Sequence, residues 1–344
     1  MKRKSLLMAA AVGVGYWAFS EAAERRRVSW LRDKVVLITG GSRGFGLALA
    51  EEFGRSGARL VLTARDEEEL ERANRDLVER GVAAEKILCI PCDLTKLEDV
   101  QRMVAFATQR MGKIDVLINN AGIMTVGPLE DQPVRGFKHA IESNYYTALY
   151  ATVSVLPQML ARGNGNIVNI TSIGGKVSVP HLLPYSASKF ALVGFSQGLH
   201  AELRSKGICV TTVCPGLMRT GAHIQALFTG DREREYRWFS LGASLPAISI
   251  AANTAARKVV RATVSGATEL IITPQASLAA AVAQMAPAFT GRVLSMVNDL
   301  VLPTPQQSAK EDLRRGDAVR NKEITSLTVL GTSAKHRWNQ HGTA

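Results

Sequence analysis

Apolar, strand-like runs alternate with helical patterns from residue 34 to residue 274, and this alternation limits the fold more than any other feature of the sequence. The runs are continuously apolar, as in parallel sheets that are covered on both faces. We therefore predict an α/β fold with a doubly wound sheet of seven parallel strands and right-handed crossover helices. The predicted strands cover 34–39, 59–63, 86–91, 115–119, 166–171, 208–213 and 269–273, and the predicted helices cover 45–56, 67–80, 97–111, 134–161, 185–205 and 251–263.

Two regions of different composition flank this core of residues 34–274. Residues 1–33 contain an apolar run of 14 residues, 6–19, which is short for a membrane span of about 20 residues. A membrane anchor, a secretory signal and a helix lying in the membrane interface stay open as interpretations. Residues 275–344 show helical apolar spacing up to Val301, so we predict a helical extension that packs on the core, on a second subunit or on a membrane. After Pro305 the chain turns polar, and we expect little ordered structure there.

The positive charge of the chain is concentrated at its ends. The formal net charge is +12, to which residues 1–34 contribute +5 and residues 310–344 contribute +3. A nucleic-acid-binding fold would place its basic residues on a reading helix or stripe, so we predict no nucleic-acid partner. Basic ends next to apolar segments suit an anionic membrane surface, and membrane association through residues 5–20 is therefore expected.

A glycine-rich loop follows the first predicted strand and opens the first predicted helix. Glycines there permit a tight turn and a close approach of the backbone to a pyrophosphate, and the helix N-terminus offers unpaired N–H groups. This context predicts a dinucleotide site in a Rossmann-type sheet. The predicted contacts are Gly40, Ser42, Arg43, Gly44, Phe45 and Gly46.

The end of the second strand indicates which dinucleotide is bound. NAD requires a carboxylate at that point, whereas NADP requires a cation for its additional phosphate. Here Ala64 is followed by Arg65, and Arg43 lies in the glycine loop. Two guanidinium groups favour NADP(H) as the cofactor. Asp93 and Leu94, after the third strand, are expected at the adenine, with a helix cap as the alternative for Asp93.

Tyr185 and Lys189 are spaced i, i+4 and therefore share a helix face. The pKa of a free phenol is near 10, and we predict that the ammonium group, together with a positive nicotinamide, lowers it. Ser172 ends the fifth strand, where its hydroxyl can donate to a substrate oxygen. Asn144 lies inside the predicted helix 134–161, and we predict that it holds a water molecule near Lys189.

These motifs together resemble the short-chain dehydrogenase/reductase superfamily, in its compact single-domain branch, over residues 34–274. The resemblance implies that Tyr185 is the general acid/base, that Lys189 also holds the nicotinamide ribose, and that Ser172 and Asn144 assist. It further implies cofactor contacts from Asn120, Ala121, Gly122, Pro215, Gly216 and Thr220. The motifs that carry it are 39–46, Asp93, 119–122, Asn144, Ser172, Tyr185, Lys189 and 214–216.

The expected function is an NADP(H)-dependent oxidoreductase that interconverts a carbonyl and an alcohol. Aromatic and aliphatic residues in the predicted lid, 217–250, suggest an apolar substrate, although packing of the lid on itself explains them equally well. No metal site is expected. The resemblance implies a homodimer or homotetramer, and NADPH implies an intracellular enzyme with any anchor on the cytoplasmic side. A non-catalytic NADPH sensor or scaffold is the alternative.

Overall fold

The computed structural model describes residues 29–245, 248–306, 313–319, 334 and 337–340. The predicted leader and its membrane-associating segment, residues 5–20, lie outside these described residues. The predicted doubly wound sheet is confirmed: seven parallel strands lie in the order β3-β2-β1-β4-β6-β7-β11. These strands are β1 (Val35–Thr39), β2 (Arg59–Ala64), β3 (Ile87–Pro91), β4 (Val116–Asn119), β6 (Gly165–Ile170), β7 (Ile208–Cys214) and β11 (Glu269–Ile271).

Helices cover both faces of the sheet, which explains why its strands are apolar throughout. The core on one face is formed with α1, α2 and α8, and the core on the other face with α3, α5 and α6. The helices are α1 (Gly44–Arg55), α2 (Glu67–Glu79), α3 (Leu97–Met111), α4 (Val134–Ile141), α5 (Thr147–Arg162), α6 (Leu183–Leu203), α7 (Arg232–Ser244), α8 (Ala252–Ser265), α9 (Pro274–Met285), α10 (Pro287–Val301) and α11 (Gly316–Val319).

The single helix predicted over 134–161 is wrong in its middle. A π-helical turn, Glu142–Tyr146, separates α4 from α5. Such a turn shifts the helix face by one residue, and the apolar periodicity of a sequence does not reveal it. Asn144 lies inside this turn and is fully buried.

Five short strands that the sequence did not predict lie outside the main sheet. They have two or three residues each, which is too short for an alternating pattern to be recognised. In the lid, β8 pairs in parallel with β10, while β9 lies between β5 and β12. These strands are β5 (Thr125–Val126), β8 (Leu217–Arg219), β9 (Leu227–Phe228), β10 (Ser249–Ala251) and β12 (Arg314–Arg315).

The expectation of little ordered structure after Pro305 is wrong for two segments. Residues 313–319 contain β12 and α11. Further along, Ala334 and Trp338 join the core beside α1, and Trp338 is only 3% exposed. Burial of an aromatic side chain offsets the entropy of ordering an otherwise polar segment.

The helical extension after residue 274 bends at Ala286, before Pro287, and forms α9 and α10. None of the residues of α10 is buried, and apolar side chains such as Phe289, Met296 and Leu300 are exposed on it. Among the described residues, no helix combines the length and the apolar character that crossing a membrane requires.

Leu37 tests the buried centre of the sheet, since it lies in β1 and is 0% exposed. We expect Leu37→Ala to lower the free energy of unfolding by about 3 kcal/mol, because it removes transfer energy and leaves a cavity. The matched variant Leu300→Ala, at a position that is 77% exposed, should change it by less than about 0.5 kcal/mol. Urea denaturation measures the free energy of unfolding of both variants, and an equal decrease in the two would contradict this placement of the core.

Candidate active site

The glycine loop joins β1 to α1 at the carboxyl edge of the sheet, where doubly wound folds bind ligands. Gly40 and Gly44 have φ values of +63° and +58°, which disfavour any residue with a Cβ. Gly46 has no room for a side chain, because a Cβ there would collide with the carbonyl oxygen of Gly40. The loop therefore has the backbone that a dinucleotide loop requires, and Phe45 anchors it in the core.

Hydrogen bonds tie the end of β4 to the end of β1. Asn120 Nδ2 donates to the carbonyl oxygens of Thr39, at 3.0 Å, and Gly40, at 3.1 Å. The backbone N–H groups of Asn120 and Ala121 donate to Thr39 Oγ1 at 2.9 and 3.1 Å. The side chain of Asn120 thus holds the loop in place, and the exposed Gly122 continues the same edge.

The structure brings Ser172 and Tyr185 together around Gly174. A Cβ on Gly174 would lie 3.2 Å from Tyr185 Cε1 and 3.4 Å from Ser172 Oγ. Ser172 Oγ also accepts a hydrogen bond of 3.0 Å from the N–H of Gly174, which fixes its position. The predicted pairing of phenol and hydroxyl is thus present in the geometry.

Lys189 lies behind Tyr185 and is almost fully buried. Its Nζ donates to the carbonyl oxygen of Ile170 at 3.0 Å and lies 5.8 Å from the centre of the Tyr185 ring. Burial, which disfavours the charged amine, lowers the pKa of Lys189 to about 8.

The predicted lowering of the Tyr185 pKa requires Lys189 and a positive nicotinamide together, and Lys189 alone does not produce it. Burial raises the pKa of Tyr185 above its usual value, and the hydrogen bond with Ser172 only partly opposes this. The reason is desolvation, which disfavours the phenolate as it disfavours the ammonium. The lowering expected from a positive nicotinamide stays a prediction.

Asn144 connects the edge after β4 to the catalytic helix α6. Its Oδ1 accepts from the N–H of Ile123 at 2.9 Å, and its Nδ2 donates to Ser188 Oγ at 2.9 Å. A Cβ on Gly122 would collide with this Oδ1 and lie 3.5 Å from Lys189 Nζ. Asn144 therefore positions the surroundings of Lys189, and its role toward a water molecule stays a prediction.

At the end predicted to hold the adenine, Arg65 and Asp93 line one cavity of about 610 Å³. Asp93 Oδ1 also accepts hydrogen bonds from the N–H and hydroxyl of Thr95, at 3.2 and 2.7 Å, so it shapes the turn before α3. Leu94 is buried beside it.

Arg43 has a partner that the sequence did not suggest. Its guanidinium lies 2.5 Å from Glu69 Oε1, and Ser42 Oγ donates to Glu69 Oε2 at 3.0 Å. The Glu69 side chain is only 4% exposed, so the pair compensates a buried carboxylate. Arg43 lies in the loop as predicted, but its guanidinium group forms an ion pair with Glu69.

The remaining predicted cofactor residues lie after β7. Pro215 is buried, and its carbonyl oxygen accepts from the N–H of Ile173 at 2.8 Å, which links the ends of β7 and β6. Gly216 packs near Thr273 Oγ1. Thr220 is buried, and its Oγ1 accepts from the N–H of Ala222 at 3.3 Å.

Two hydrogen bonds of the glycine loop were not predicted from the sequence. The carbonyl oxygen of Trp338 accepts a 2.8 Å hydrogen bond from the N–H of Gly44, and Asn339 Nδ2 donates to the carbonyl oxygen of Ser42 at 2.8 Å. In the sequence, only the presence of a tryptophan within a polar terminal segment indicated that this segment could pack against the rest of the protein.

Lys189 predicts a specific pH dependence of stability. The pKa of Lys189 in the folded protein, about 8, lies below its ordinary value of 10.5. Between pH 8 and pH 10.5 the unfolded chain therefore binds more protons than the folded one, and the contribution of Lys189 to the free energy of unfolding rises with pH. Lys189→Met should be more stable than the wild type at pH 7, because the variant buries no charge. The difference in free energy of unfolding between the variant and the wild type should become smaller from pH 8 to pH 10.5.

Urea denaturation between pH 7 and pH 10.5 measures this difference in free energy of unfolding. Lys138→Met, which replaces an exposed lysine of α4, serves as the matched control and should show no such narrowing. If the difference in free energy of unfolding between Lys189→Met and the wild type did not change with pH, the lowered pKa of Lys189 would be contradicted.

Sequence relatives agree with this geometry. A putative ketoacyl reductase of Streptomyces coelicolor is 40% identical over 189 residues, which cover 54% of this chain and 71% of the relative. Dehydrogenase/reductase SDR family member 7 of Homo sapiens is 42% identical over 194 residues. That match covers 56% of this chain and 57% of the human protein, so the chain spans less than two thirds of that relative.

A solved structure shows the same fold. An actinorhodin polyketide ketoreductase with NADPH superposes with a TM-score of 0.61 at 31% identity, over 70% of this chain and 95% of that one. The family model described as short chain dehydrogenase matches residues 34–227, which include every residue predicted above to be catalytic. The chain belongs to the short-chain dehydrogenase/reductase family of oxidoreductases.

Proposed function

We propose that this protein is an NADP(H)-dependent enzyme that interconverts a carbonyl group and an alcohol. The observation that carries the proposal is the grouping of Tyr185, Ser172 and the buried Lys189 at the carboxyl edge of the sheet. A phenol, a hydroxyl and an amine at one point supply a proton, a hydrogen-bond donor and a positive charge for an oxygen that changes charge.

The raised pKa of Tyr185 suits the direction of reduction. A protonated phenol at neutral pH can donate its proton to an alkoxide as that alkoxide forms. Ser172, held by the N–H of Gly174, can donate to the same oxygen. When NADPH is bound, it supplies the hydride. Lys189 then provides charge beside Tyr185 without moving, because its Nζ is fixed on Ile170.

The loop fits a dinucleotide, and its surroundings support NADP(H) in particular. The positive φ values of Gly40 and Gly44 and the start of α1 form a phosphate cradle. Arg65 is exposed at the end of β2, where a 2′-phosphate requires a cation, and no carboxylate stands at Ala64. Since Arg43 is engaged by Glu69, Arg65 is the stronger candidate for that phosphate.

An apolar substrate is supported by the wall beside Tyr185. Met124, Val179 and Trp238 are partly buried and pack, with Tyr185, against an aromatic cluster of the lid. Within that cluster Phe228 and Phe239 are buried, so their role is to hold the lid. The putative ketoacyl reductase among the relatives supports a ketoacyl group as the substrate class.

A cavity near this wall has room for a bulky group. It measures about 550 Å³ and lies between the segment before α6, which includes Pro180 and His181, and the end of α10 with Asn298 and Pro303. The helical extension would then contribute to the substrate entrance.

The quaternary structure and location are proposals as well. Exposed apolar side chains on α5 and α6, such as Val153, Leu160 and Phe190, support a homodimer or homotetramer through these helices. We retain the hypothesis of an intracellular enzyme with a membrane-associating leader at residues 5–20.

Tyr185→Phe tests the chemistry. This variant should lose carbonyl reduction by at least about a hundredfold, because the proton donor is removed, and it should keep its affinity for NADPH. The assay follows nicotinamide absorbance with a panel of ketoacyl thioesters, fatty aldehydes, steroids and quinones.

Tyr150→Phe is the matched control and should keep full activity, since Tyr150 of α5 packs against the core between the sheet and α3, α5 and α6, and its ring stacks on that of Tyr146. Full activity of Tyr185→Phe would refute the mechanism. NADPH binding without turnover of any carbonyl by the wild type would favour the sensor interpretation.

Arg65→Ala tests the cofactor preference. The variant should weaken NADPH binding at least about tenfold and leave NADH binding nearly unchanged, because only NADPH carries the 2′-phosphate. Arg43→Ala should have a smaller effect, given its partner Glu69. Arg75→Ala, on the exposed face of α2, is the control. Equal losses for both dinucleotides in Arg65→Ala would contradict the NADP assignment.

A further inference from the structure

The segment Arg337–Gln340, named here the C-terminal clasp, lies directly on the glycine loop although almost 300 residues of chain separate them. The carbonyl oxygen of Trp338 accepts from the N–H of Gly44 at 2.8 Å. Asn339 Nδ2 donates to the carbonyl oxygens of Ser42, at 2.8 Å, and Glu69, at 3.1 Å. The clasp thus contacts two of the residues that the sequence assigns to the cofactor.

At Gly44, the clasp occupies a backbone group that a bound phosphate would use. It begins α1, so its N–H is one of those that have no partner inside the helix and that attract phosphate oxygens. The clasp already supplies an acceptor to it. Moreover, Gln340 Nε2 lies 2.5 Å from the position that a Cβ on Gly44 would take. The close approach that a glycine at this point gives to a ligand is therefore taken by Gln340.

The clasp is held by more than these hydrogen bonds. Trp338 is 3% exposed, and its ring lies 5.2 Å from the Arg80 guanidinium and 5.0 Å from that of Arg337. Arg80 also donates to the carbonyl oxygen of Arg337 and forms an ion pair of 2.8 Å with the buried Glu51. Two cation–π contacts to one buried ring, one of them from an arginine that also pairs with a buried carboxylate, stabilise this contact.

Gln340 retains an unused polar atom at this place. Its side chain is 4% exposed, and within the part of the chain that the structure describes no donor reaches Oε1. A buried acceptor without a partner destabilises the closed clasp. The clasp is therefore held firmly by the buried Trp338 ring and only weakly at Gln340, which lies over Gly44.

We propose that the C-terminal clasp competes with the dinucleotide for the glycine loop, so that cofactor binding requires the Trp338 carbonyl oxygen and Gln340 to leave Gly44, and Asn339 to leave Ser42. This proposal rests on the proposed function only in that a dinucleotide binds at the loop. It makes the apparent affinity for the cofactor depend on the fraction of molecules whose clasp is open.

Two truncated chains test the proposal. One ends at residue 336 and lacks the clasp; the other ends at residue 340 and keeps it. NADPH should bind the shorter chain about tenfold more tightly, as expected if roughly nine in ten molecules are closed. Calorimetric titration of each chain with NADPH, and then with NADH, measures this affinity without any turnover.

Full-length Asn339→Ala is the second variant, because it removes the bonds to Ser42 and Glu69 but keeps the Trp338 anchor. Its affinity for NADPH should lie between those of the two truncated chains. In the wild type, saturating NADPH should speed hydrogen exchange of residues 337–340.

Equal affinities of the two truncated chains, or weaker binding by the shorter chain, would overturn the proposal; weaker binding would identify the clasp as a wall of the site. Failure of the proposed function is a different result. Tighter NADPH binding by the shorter chain, with no carbonyl reduced by any chain, would support the clasp and reject the enzyme. If neither chain binds NADPH or NADH, both proposals are rejected.

Discussion

The site depends on polar side chains that tie the strand ends to one another at the carboxyl edge of the sheet. Asn119 Nδ2 donates to Asn169 Oδ1 at 2.8 Å, and Asn169 Nδ2 donates to Ser196 Oγ on α6 at 2.9 Å. These groups are buried, and breaking one bond would leave its partner unsatisfied in the interior. The network therefore fixes β4, β6 and α6 relative to one another.

Burial of Lys189 is the second constraint, and it follows from the first. The helix that carries the amine is held against β6, and this places Nζ on the carbonyl oxygen of Ile170. Desolvation then disfavours charge on both Lys189 and Tyr185, so the protein alone keeps a protonated phenol. A site of this kind is poised to donate a proton, and any shift toward phenolate must come from what binds beside it.

The sequence was sufficient to predict the sheet and the shared helix face of Tyr185 and Lys189. Continuous apolar runs specify buried parallel strands, and Tyr185 and Lys189 share a helix face by spacing alone. Their electrostatics were not predictable, because the direction of the pKa of Tyr185 depends on burial in three dimensions. The π-helical turn around Asn144 was also missed, since apolar periodicity does not record one additional residue in a turn.

Long-range partners were beyond the sequence for a related reason. Nothing near Arg43 in the chain indicates that Glu69 is its partner, or that Trp338 and Asn339 reach the same loop. Such contacts depend on how α2 and the terminal segment pack on α1, and a local pattern carries no record of that packing.

The proposed reaction is hydride transfer between a nicotinamide and a carbonyl group, with Tyr185 as the proton donor. The most direct measurement uses NADPH deuterated at the transferring position of its nicotinamide ring, with the panel of ketones and aldehydes and mass spectrometry of the products. The account predicts an alcohol with deuterium on its carbinol carbon, formed by the wild type and not by Tyr185→Phe. Unlabelled alcohol, or deuterium retained on the oxidised cofactor with every stereoisomer of the labelled NADPH, would contradict it.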